Sequence, residues 1–177
     1  MIRPTITVTG NMGRRMPAWF NIRIFDFPLT IPPPPGEEDE ATILPSIASI
    51  EALLTNIVDS GVDPSRIVFG GFSQGAAMTL LTGLTTSHKL AGLFKSMASS
   101  HASAVPIFWG HGTVDPLVPY KLGRVCADYS MIELGIPPAQ PGSSSGLDFH
   151  TYEGLAHYIG DDELTDLASW LRNIFSL

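Results

Sequence analysis

Short apolar runs recur along the chain with the length and composition of buried β-strands. Ile67, Val68 and Phe69 form a β-branched and aromatic run of the kind that is buried on both faces of a sheet. Two further apolar runs and one alternating run predict three more strands, at residues 90–98, 105–109 and 147–152. We expect a loop over residues 110–116, directly after the third of these strands.

Helical periodicity separates the predicted strands. Apolar residues at spacings of three and four predict a helix over residues 41–59, with Pro45 near its first turn and Ser60-Gly61 at its end. Three more helices are predicted, one starting at residue 76 and the others over residues 120–134 and Asp161–Phe175. Strands that alternate with helices indicate a mainly parallel sheet covered on both faces. We therefore expect a single α/β domain over residues 1–177.

The first forty residues show no pattern for a long helix. Two short extended segments are predicted there, at Thr5–Val8 and residues 19–25. Residues 32–36 form a stiff, polyproline-like stretch, and residues 37–40 are an acidic run. We interpret residues 1–40 as an irregular N-terminal extension that ends in a proline-rich, acidic loop.

A serine between two glycines stands where the first predicted core strand meets a helix. Gly71-Phe72-Ser73-Gln74-Gly75 has the pattern of a nucleophile elbow, a turn that raises the serine hydroxyl over a helix N-terminus. We predict that this turn leaves no room for a Cβ atom at Gly71 or at Gly75. In the alternative interpretation the glycines serve only close helix–strand packing and Ser73 is a bystander.

Candidate partners for the serine follow two other predicted strands. Active groups collect at the carboxyl ends of parallel strands, so we expect Ser73, Asp115 and His157 at one edge of the sheet. His157 would act as the base that a serine nucleophile needs, and Asp115 would orient its imidazole. Asp148 and Asp161 compete for the acid role, but only Asp115 follows a strand and precedes a proline. The order Ser, acid, His is the one expected of an α/β-hydrolase.

Other polar residues are given supporting or structural roles. The backbone N–H of Gln74 is placed to donate to an oxyanion, and losing one such donor typically costs about 2.7–4 kcal/mol of barrier stabilisation. His111, next to glycines, is interpreted as a histidine that braces a loop. No histidine is spaced as a metal ligand, and Cys126 is interpreted as a small core residue rather than a zinc ligand. The remaining histidines are interpreted as bystanders: His88, His101 and His150.

The amino-acid composition limits which binding partners and which cellular compartment we expect for this protein. A formal charge of −7 and 17 acidic against 10 basic residues leave no basic surface for nucleic acid. With one cysteine an intrachain disulfide is impossible, which favours a reducing, cytoplasmic location. We see no N-terminal leader pattern and no run that is long enough to cross a bilayer, and therefore expect no transmembrane segment.

Taken together, these motifs resemble the acyl-protein thioesterase and lysophospholipase-like carboxylesterase family. The similarity covers nearly the whole chain. It is carried by the Gly-Gly-Phe-Ser-Gln-Gly-Ala-Ala segment, the Gly-His-Gly segment with the following Asp-Pro-Leu-Val-Pro, and Tyr-Glu-Gly with its downstream histidine: residues 70–77, 110–119 and 152–157. Residues 16–20 and 89–93 match as well.

The resemblance implies a fold, an activity and a set of site residues. The fold would be an α/β-hydrolase-type three-layer sandwich with a mostly parallel sheet, and the triad would be Ser73, Asp115 and His157. The family hydrolyses thioesters of palmitoylated cysteines and esters of lysophospholipids or small acyl groups, without a cofactor or metal. By resemblance Trp19 lies near the acyl site. We assign substrate binding to Trp19, Phe72 and Leu117.

The chain also departs from the family pattern. Family members begin with further strands, one of which ends in a His-Gly-x-Gly-Asp loop that supplies the second oxyanion donor. No such segment precedes Arg3, and residues 99–104 are shorter than the usual loop at that point. We therefore expect an N-terminally truncated fold with an open, apolar sheet edge at residues 67–69. N-terminal residues or a second copy in a homodimer should cover this edge, or the polypeptide should aggregate.

Two functions remain open from the sequence. The first is a serine carboxylesterase or acyl-protein thioesterase that acts on an acylated protein or a lipid ester. The second is a non-catalytic, truncated relative with a binding or regulatory role or with no activity. The triad pattern favours the enzyme, whereas the missing first strands favour the second interpretation.

Overall fold

The computed structural model describes residues 3–23, 39–86, 105–140 and 145–176. The chain divides into two compact units, Met1–Ser99 and Ser100–Leu177, which we call the N-terminal and C-terminal units. The assignment of residues 1–177 to a single domain stays a prediction.

The N-terminal unit begins with a β-hairpin. Strands β1 (Thr5–Val8) and β2 (Arg14–Pro17) pair antiparallel, with Thr5 opposite Pro17 and Val8 opposite Arg14. The chain reverses through Met12 and Gly13, whose φ angles are 54° and 68°. The predicted extended segment at Thr5–Val8 is confirmed, while the pairing partner β2 was not foreseen.

The prediction of an extended segment at residues 19–25 is wrong for residues 19–23, which form no strand. Their backbone groups bond mainly to side chains, so a ladder of the kind that defines a strand does not form. The Trp19 N–H donates to Gln74 Oε1 over 3.0 Å, and the Asn21 N–H donates to Thr42 Oγ1 over 2.9 Å. Residues 24 and 25 lie outside the described part of the chain.

Helices α1 (Glu40–Asp59) and α2 (Gln74–Gly83) form the core of the N-terminal unit. The buried side chains are Ile47, Ile50 and Leu54 of α1 with Met78 of α2. Burying a side chain of this size typically stabilises a fold by about 1.5–3 kcal/mol. The helix predicted over residues 41–59 is confirmed, and its first turn carries Glu40, which suits the positive end of the helix dipole.

Helix α1 is long and apolar enough to cross a membrane by length and composition alone, with a mean hydropathy of 1.5. The expectation that no segment would reach this threshold is therefore wrong. The apolar window of α1 is 22% buried, and its side chains Ile47, Ile50 and Leu54 pack against Met78 of α2. Core helices of globular proteins meet the same length criterion, so the measure is weak evidence for a span.

The run at residues 67–69 is extended but belongs to no strand in the described residues. Ile67 has φ −101° and ψ 117°, both typical of a strand, after a short 3₁₀ turn at Pro64–Arg66. A strand also needs ladder hydrogen bonds to a neighbour. The next predicted strand, at residues 90–98, lies outside the described residues. Burial on both faces is wrong for Val68, which is 43% exposed.

The C-terminal unit contains a parallel pair of strands. Strands β3 (Pro106–Gly112) and β4 (Gly146–Tyr152) run in register from Pro106 beside Gly146 to Gly112 beside Tyr152. Helix α3 (Tyr120–Ile132) connects them and helix α4 (Asp161–Phe175) follows β4. Both predicted strands and both predicted helices are confirmed.

Strand β3 continues further than its apolar pattern indicates. The loop predicted to start at residue 110 starts after Gly112, because residues 110–112 pair with residues 150–152 of β4. The ladder bonds come from the backbone, so glycines and a histidine can extend a strand that hydrophobic periodicity ends. The additional strand residues place His111 in the sheet, and the loop that holds Asp115 starts after them.

Candidate active site

Ser73 lies at the sharp turn before α2. Its φ of 55° and ψ of −121° place it in a region that L-residues rarely adopt. A Cβ atom built on Gly71 would lie 2.3 Å from the carbonyl carbon and oxygen of Gly75. The elbow predicted from the sequence is therefore present, and its tightness at Gly71 is confirmed.

The second glycine of the elbow does not meet the same constraint. No described atom lies within 4 Å of a Cβ built on Gly75, so the expectation of a steric requirement there is wrong among the described residues. The crowding is one-sided because the Gly75 carbonyl fills the space beside Gly71, while the Cβ direction of Gly75 points elsewhere.

The N-terminus of α2 presents one backbone donor beside Ser73. The N–H groups of Gly75 and Ala76 donate to the carbonyls of Phe72 and Ser73 over 2.8 and 2.9 Å. Among the described residues, no group accepts a hydrogen bond from the Gln74 N–H. The first N–H groups of a helix carry its positive partial charge, so this position suits a developing anion.

Asp115 occupies the loop after β3 and is held by backbone donors. Its Oδ1 accepts the N–H groups of Leu117 over 2.8 Å and Val118 over 2.9 Å. Burial alone raises the pKa of this carboxyl, but the bonds from Val118, His157 and Leu117 outweigh burial and hold the pKa below its ordinary value. Asp115 is therefore a fixed, ionised carboxylate at neutral pH.

His157 follows β4 and meets that carboxylate. Its Nδ1 lies 2.7 Å from Asp115 Oδ2, and both side chains are largely buried, with 15% and 7% exposed. Because the carboxylate is ionised, Nδ1 carries the proton and donates, which leaves Nε2 as the basic nitrogen. The structure thus brings together two of the three predicted triad residues within the C-terminal unit.

The competing carboxylates lie elsewhere in the C-terminal unit. Asp148 Oδ2 lies 3.0 Å from His150 Nε2, and Asp161 begins helix α4. The carboxylate that contacts the His157 imidazole is that of Asp115. The preference for Asp115 as the partner of His157 is supported by this geometry.

Sequence reasoning missed the polar contact that joins the loops of Asp115 and His157. Thr113 Oγ1 donates to Glu153 Oε1 over 3.1 Å and accepts the Gly154 N–H over 2.9 Å. The Val114 N–H donates to the Leu155 carbonyl over 3.2 Å. A threonine in a loop gives no sequence signal for such a contact, because its partner is 40 residues away.

The other predicted residues lie at different places. His111 braces the Asp115 loop, as expected, since its Nε2 lies 3.0 Å from the Val118 carbonyl oxygen. Leu117 is 49% exposed beside Asp115. His150 is partly buried and pairs with Asp148 and Asp166. Burial raises the pKa of the Cys126 thiol. His88 and His101 lie outside the described residues.

Trp19 and Phe72 line one cavity of the N-terminal unit. The cavity has a volume of about 720 Å³, and its wall also includes Ile50, Phe69 and Met78. The lining is apolar apart from backbone groups and Arg3, so it offers a surface on which an apolar group can pack. Within the described ranges, no group of three or more histidine, cysteine or acidic side chains is arranged to hold a metal ion.

Comparison with known proteins defines the class of this chain. A profile of the phospholipase/carboxylesterase family matches residues 3–175. The chain belongs to this family, and it is a serine hydrolase of the α/β-hydrolase fold.

Named relatives within the family are acyl-protein thioesterases. The chain is 38% identical over 183 residues to acyl-protein thioesterase 1 of Cryptococcus neoformans var. neoformans serotype D, across 95% of this chain and 75% of that protein. It is 34% identical over 185 residues to acyl-protein thioesterase 1 of Saccharomyces cerevisiae, across 98% and 75%.

Solved structures agree with the fold. The crystal structure of Arabidopsis thaliana SOBER1 superposes with a TM-score of 0.81 at 26% identity, covering 98% of this chain and 81% of that one. Zea mays acyl-protein thioesterase 2 gives a TM-score of 0.68 at 24% identity over 98% and 79%, a likeness of fold.

Proposed function

We propose that this chain hydrolyses acyl thioesters or esters by a covalent mechanism that uses Ser73, His157 and Asp115. The observation that carries the proposal is the 2.7 Å contact between His157 Nδ1 and Asp115 Oδ2, with the carboxylate held ionised by backbone donors. The strained backbone of Ser73 at the start of α2 supports Ser73 as the nucleophile.

The reaction would proceed in two half-reactions. His157 Nε2 takes the proton from Ser73 Oγ as the oxygen attacks the carbonyl carbon, and returns it to the departing thiol or alcohol. Water then repeats the sequence on the acyl-serine, which releases the fatty acid and restores Ser73. Asp115 holds the imidazole in the required tautomer and stabilises its cation.

The Gln74 N–H supports the charged intermediate in this proposal. It heads α2 and bonds to no described acceptor, so it can donate to the oxyanion without first breaking another bond. A donor that is already oriented needs no rearrangement as charge develops on the carbonyl oxygen.

The proposed substrates are palmitoylated or otherwise acylated proteins, lysophospholipids and small acyl esters. The names of the Cryptococcus and Saccharomyces relatives support the first of these. The apolar cavity lined by Trp19 and Phe72 supports an acyl chain as the recognised part of the substrate. The cytoplasmic location and the homodimer stay predictions from the sequence.

A fluorophosphonate probe tests the proposed nucleophile. We expect one modified site, Ser73, by mass mapping, with labelling abolished in Ser73→Ala and slowed by about 10³-fold or more in His157→Ala. Ser60→Ala, which changes an exposed serine after α1, is the matched control and should label as the native chain does. A well-folded chain whose Ser73 stays unlabelled would favour the non-catalytic alternative.

A further inference from the structure

The side chain of Gln74 forms a two-point clip on the backbone of the segment that carries Trp19. Its Oε1 accepts the Trp19 N–H over 3.0 Å, and its Nε2 donates to the Phe20 carbonyl over 2.9 Å. The residue that follows Ser73 is therefore tied to a segment more than fifty positions earlier in the chain.

Only an amide side chain of this length satisfies both bonds. A carboxylate accepts but cannot donate, and an apolar chain does neither. The same segment is also held by α1, because the Ser46 hydroxyl donates to the Trp19 carbonyl and the Asn21 N–H donates to Thr42. Of these anchors, the one from Gln74 comes from the elbow and the others come from α1.

The clipped segment forms one wall of the apolar cavity. Trp19 lines that cavity together with residues of the elbow and helices, including Gly71, Phe72 and Met78. Trp19 and Phe20 also pack against the buried core of α1 and α2. The position of the Trp19 ring, and hence the width of the cavity, depends on where the backbone of residues 19 and 20 is held.

We propose that Gln74 is a positioning residue that sets selectivity for acyl-chain length by fixing the Trp19 wall against the elbow. This inference rests on the proposed hydrolase function. The backbone of Gln74 serves the reacting carbonyl, while its side chain holds the surface against which the acyl chain packs. One residue thus keeps the distance between the site of chemistry and the chain-binding wall constant.

Gln74→Met and Gln74→Glu test the clip on p-nitrophenyl acetate and p-nitrophenyl octanoate. Methionine keeps the length and removes both bonds, while glutamate keeps the bond from Trp19 and loses the donor to Phe20. We expect the octanoate-to-acetate ratio of kcat/KM to fall about tenfold in Gln74→Met and by less in Gln74→Glu. Thr42→Val is the matched control, because it removes an anchor of the same segment from α1 and should keep the ratio within about twofold.

Each outcome decides the matter. The proposal would be overturned if Gln74→Met left the octanoate-to-acetate ratio of kcat/KM unchanged, as it would if both esters lost activity equally. It would also be overturned if Thr42→Val lowered this ratio as much as Gln74→Met does. If Gln74→Met does not fold, Gln74→Glu alone decides it. If the native chain hydrolyses neither ester and Ser73 does not label, the proposed function fails, and calorimetric affinity for dodecanoic acid judges the clip separately. Weaker binding of dodecanoic acid by Gln74→Met, but not by Thr42→Val, supports the role of Gln74 as a positioning residue. Equal affinity in Gln74→Met and the native chain overturns that role.

Discussion

The backbone at Ser73 has φ 55° and ψ −121°, a conformation that costs about 1–3 kcal/mol and persists only when its surroundings enforce it. The enforcement is visible at Gly71, where the Gly75 carbonyl occupies the space that a Cβ would need. The strain at the elbow therefore depends on one close approach and not on both glycines.

We expect Gly71→Ala and Gly75→Ala to differ, although the two changes are chemically identical. Gly71→Ala should lower the free energy of unfolding by about 1–3 kcal/mol and slow fluorophosphonate labelling, because the turn must open. Gly75→Ala should change stability by about 0.5 kcal/mol or less. Urea denaturation of both variants measures the difference, and equal losses would contradict it.

Asp115 should make stability depend on pH in the acid range. Its pKa is lower in the folded chain than in the unfolded chain, so its contribution is present above the ordinary value near 3.8 and is lost as pH falls through the folded pKa. Asp115→Asn should therefore be less stable than the native chain at pH 7, and the difference in the free energy of unfolding should narrow as the pH falls below 3.8. Urea denaturation at pH 7 and at a pH below 3.8 measures this difference. A difference that stays constant would contradict the prediction.

Among the secondary-structure elements, α3 approaches β3 through a glycine. A Cβ on Gly123 would lie 2.2 Å from His111 Nδ1, so the helix sits close enough for the imidazole to lie directly on its backbone. His111 Nε2 donates to the Val118 carbonyl over 3.0 Å. The helix, the strand and the loop that orients Asp115 are thereby connected through one imidazole.

Gly123→Ala should destabilise the C-terminal unit, although alanine favours helices by about 1 kcal/mol over glycine. The methyl group displaces His111, and we expect a net loss of about 1–3 kcal/mol in the free energy of unfolding. Thermal denaturation compares it with Lys121→Ala, an exposed change on the same helix that should lie within about 0.5 kcal/mol of the native chain. A Gly123→Ala variant that is more stable than the native chain would show that His111 does not pack as described.

Elements with strong periodicity were predictable, and those that depend on partners were not. The stripe of Ile47, Ile50 and Leu54 specifies both the helix α1 and its buried face. The end of β3 was missed because residues 110–112 are held by backbone bonds to β4, which hydrophobicity does not report. Strand β2 was missed for the same reason, since Arg14 and Arg15 carry no apolar signal.

For the molecule as a whole, the extended run at residues 67–69 predicts self-association. Val68 is 43% exposed, and the run pairs with no strand among the described residues. We expect light scattering to show a mass rising toward twice 19.0 kDa with concentration. Val68→Lys should suppress the rise because a charged side chain opposes strand pairing.

The matched variant is Val62→Lys, at a site 40% exposed outside that run, which should leave the mass unchanged. A native chain that stays monomeric at all concentrations, with this run open, would contradict a homodimer.

The family relationship extends from residue 3 to residue 175 of the 177 residues. Its motif residues were readable from the sequence because an elbow, a Gly-His-Gly segment and a downstream histidine are local patterns with fixed spacing. The order Ser73, Asp115, His157 predicted the hydrolase class for the same reason.

The amino-acid sequence by itself determined the local features of this protein: the helices, the parallel pair of strands, the strained serine turn and the hydrolase class. These follow from periodicity and from residue types that only a few backbone conformations accept. Tertiary structure alone decided that Asp115 meets His157 at 2.7 Å, that Thr113 joins their loops and that Gln74 holds the Trp19 segment. Such contacts join residues some forty or more positions apart, and their distances arise only when the chain has packed.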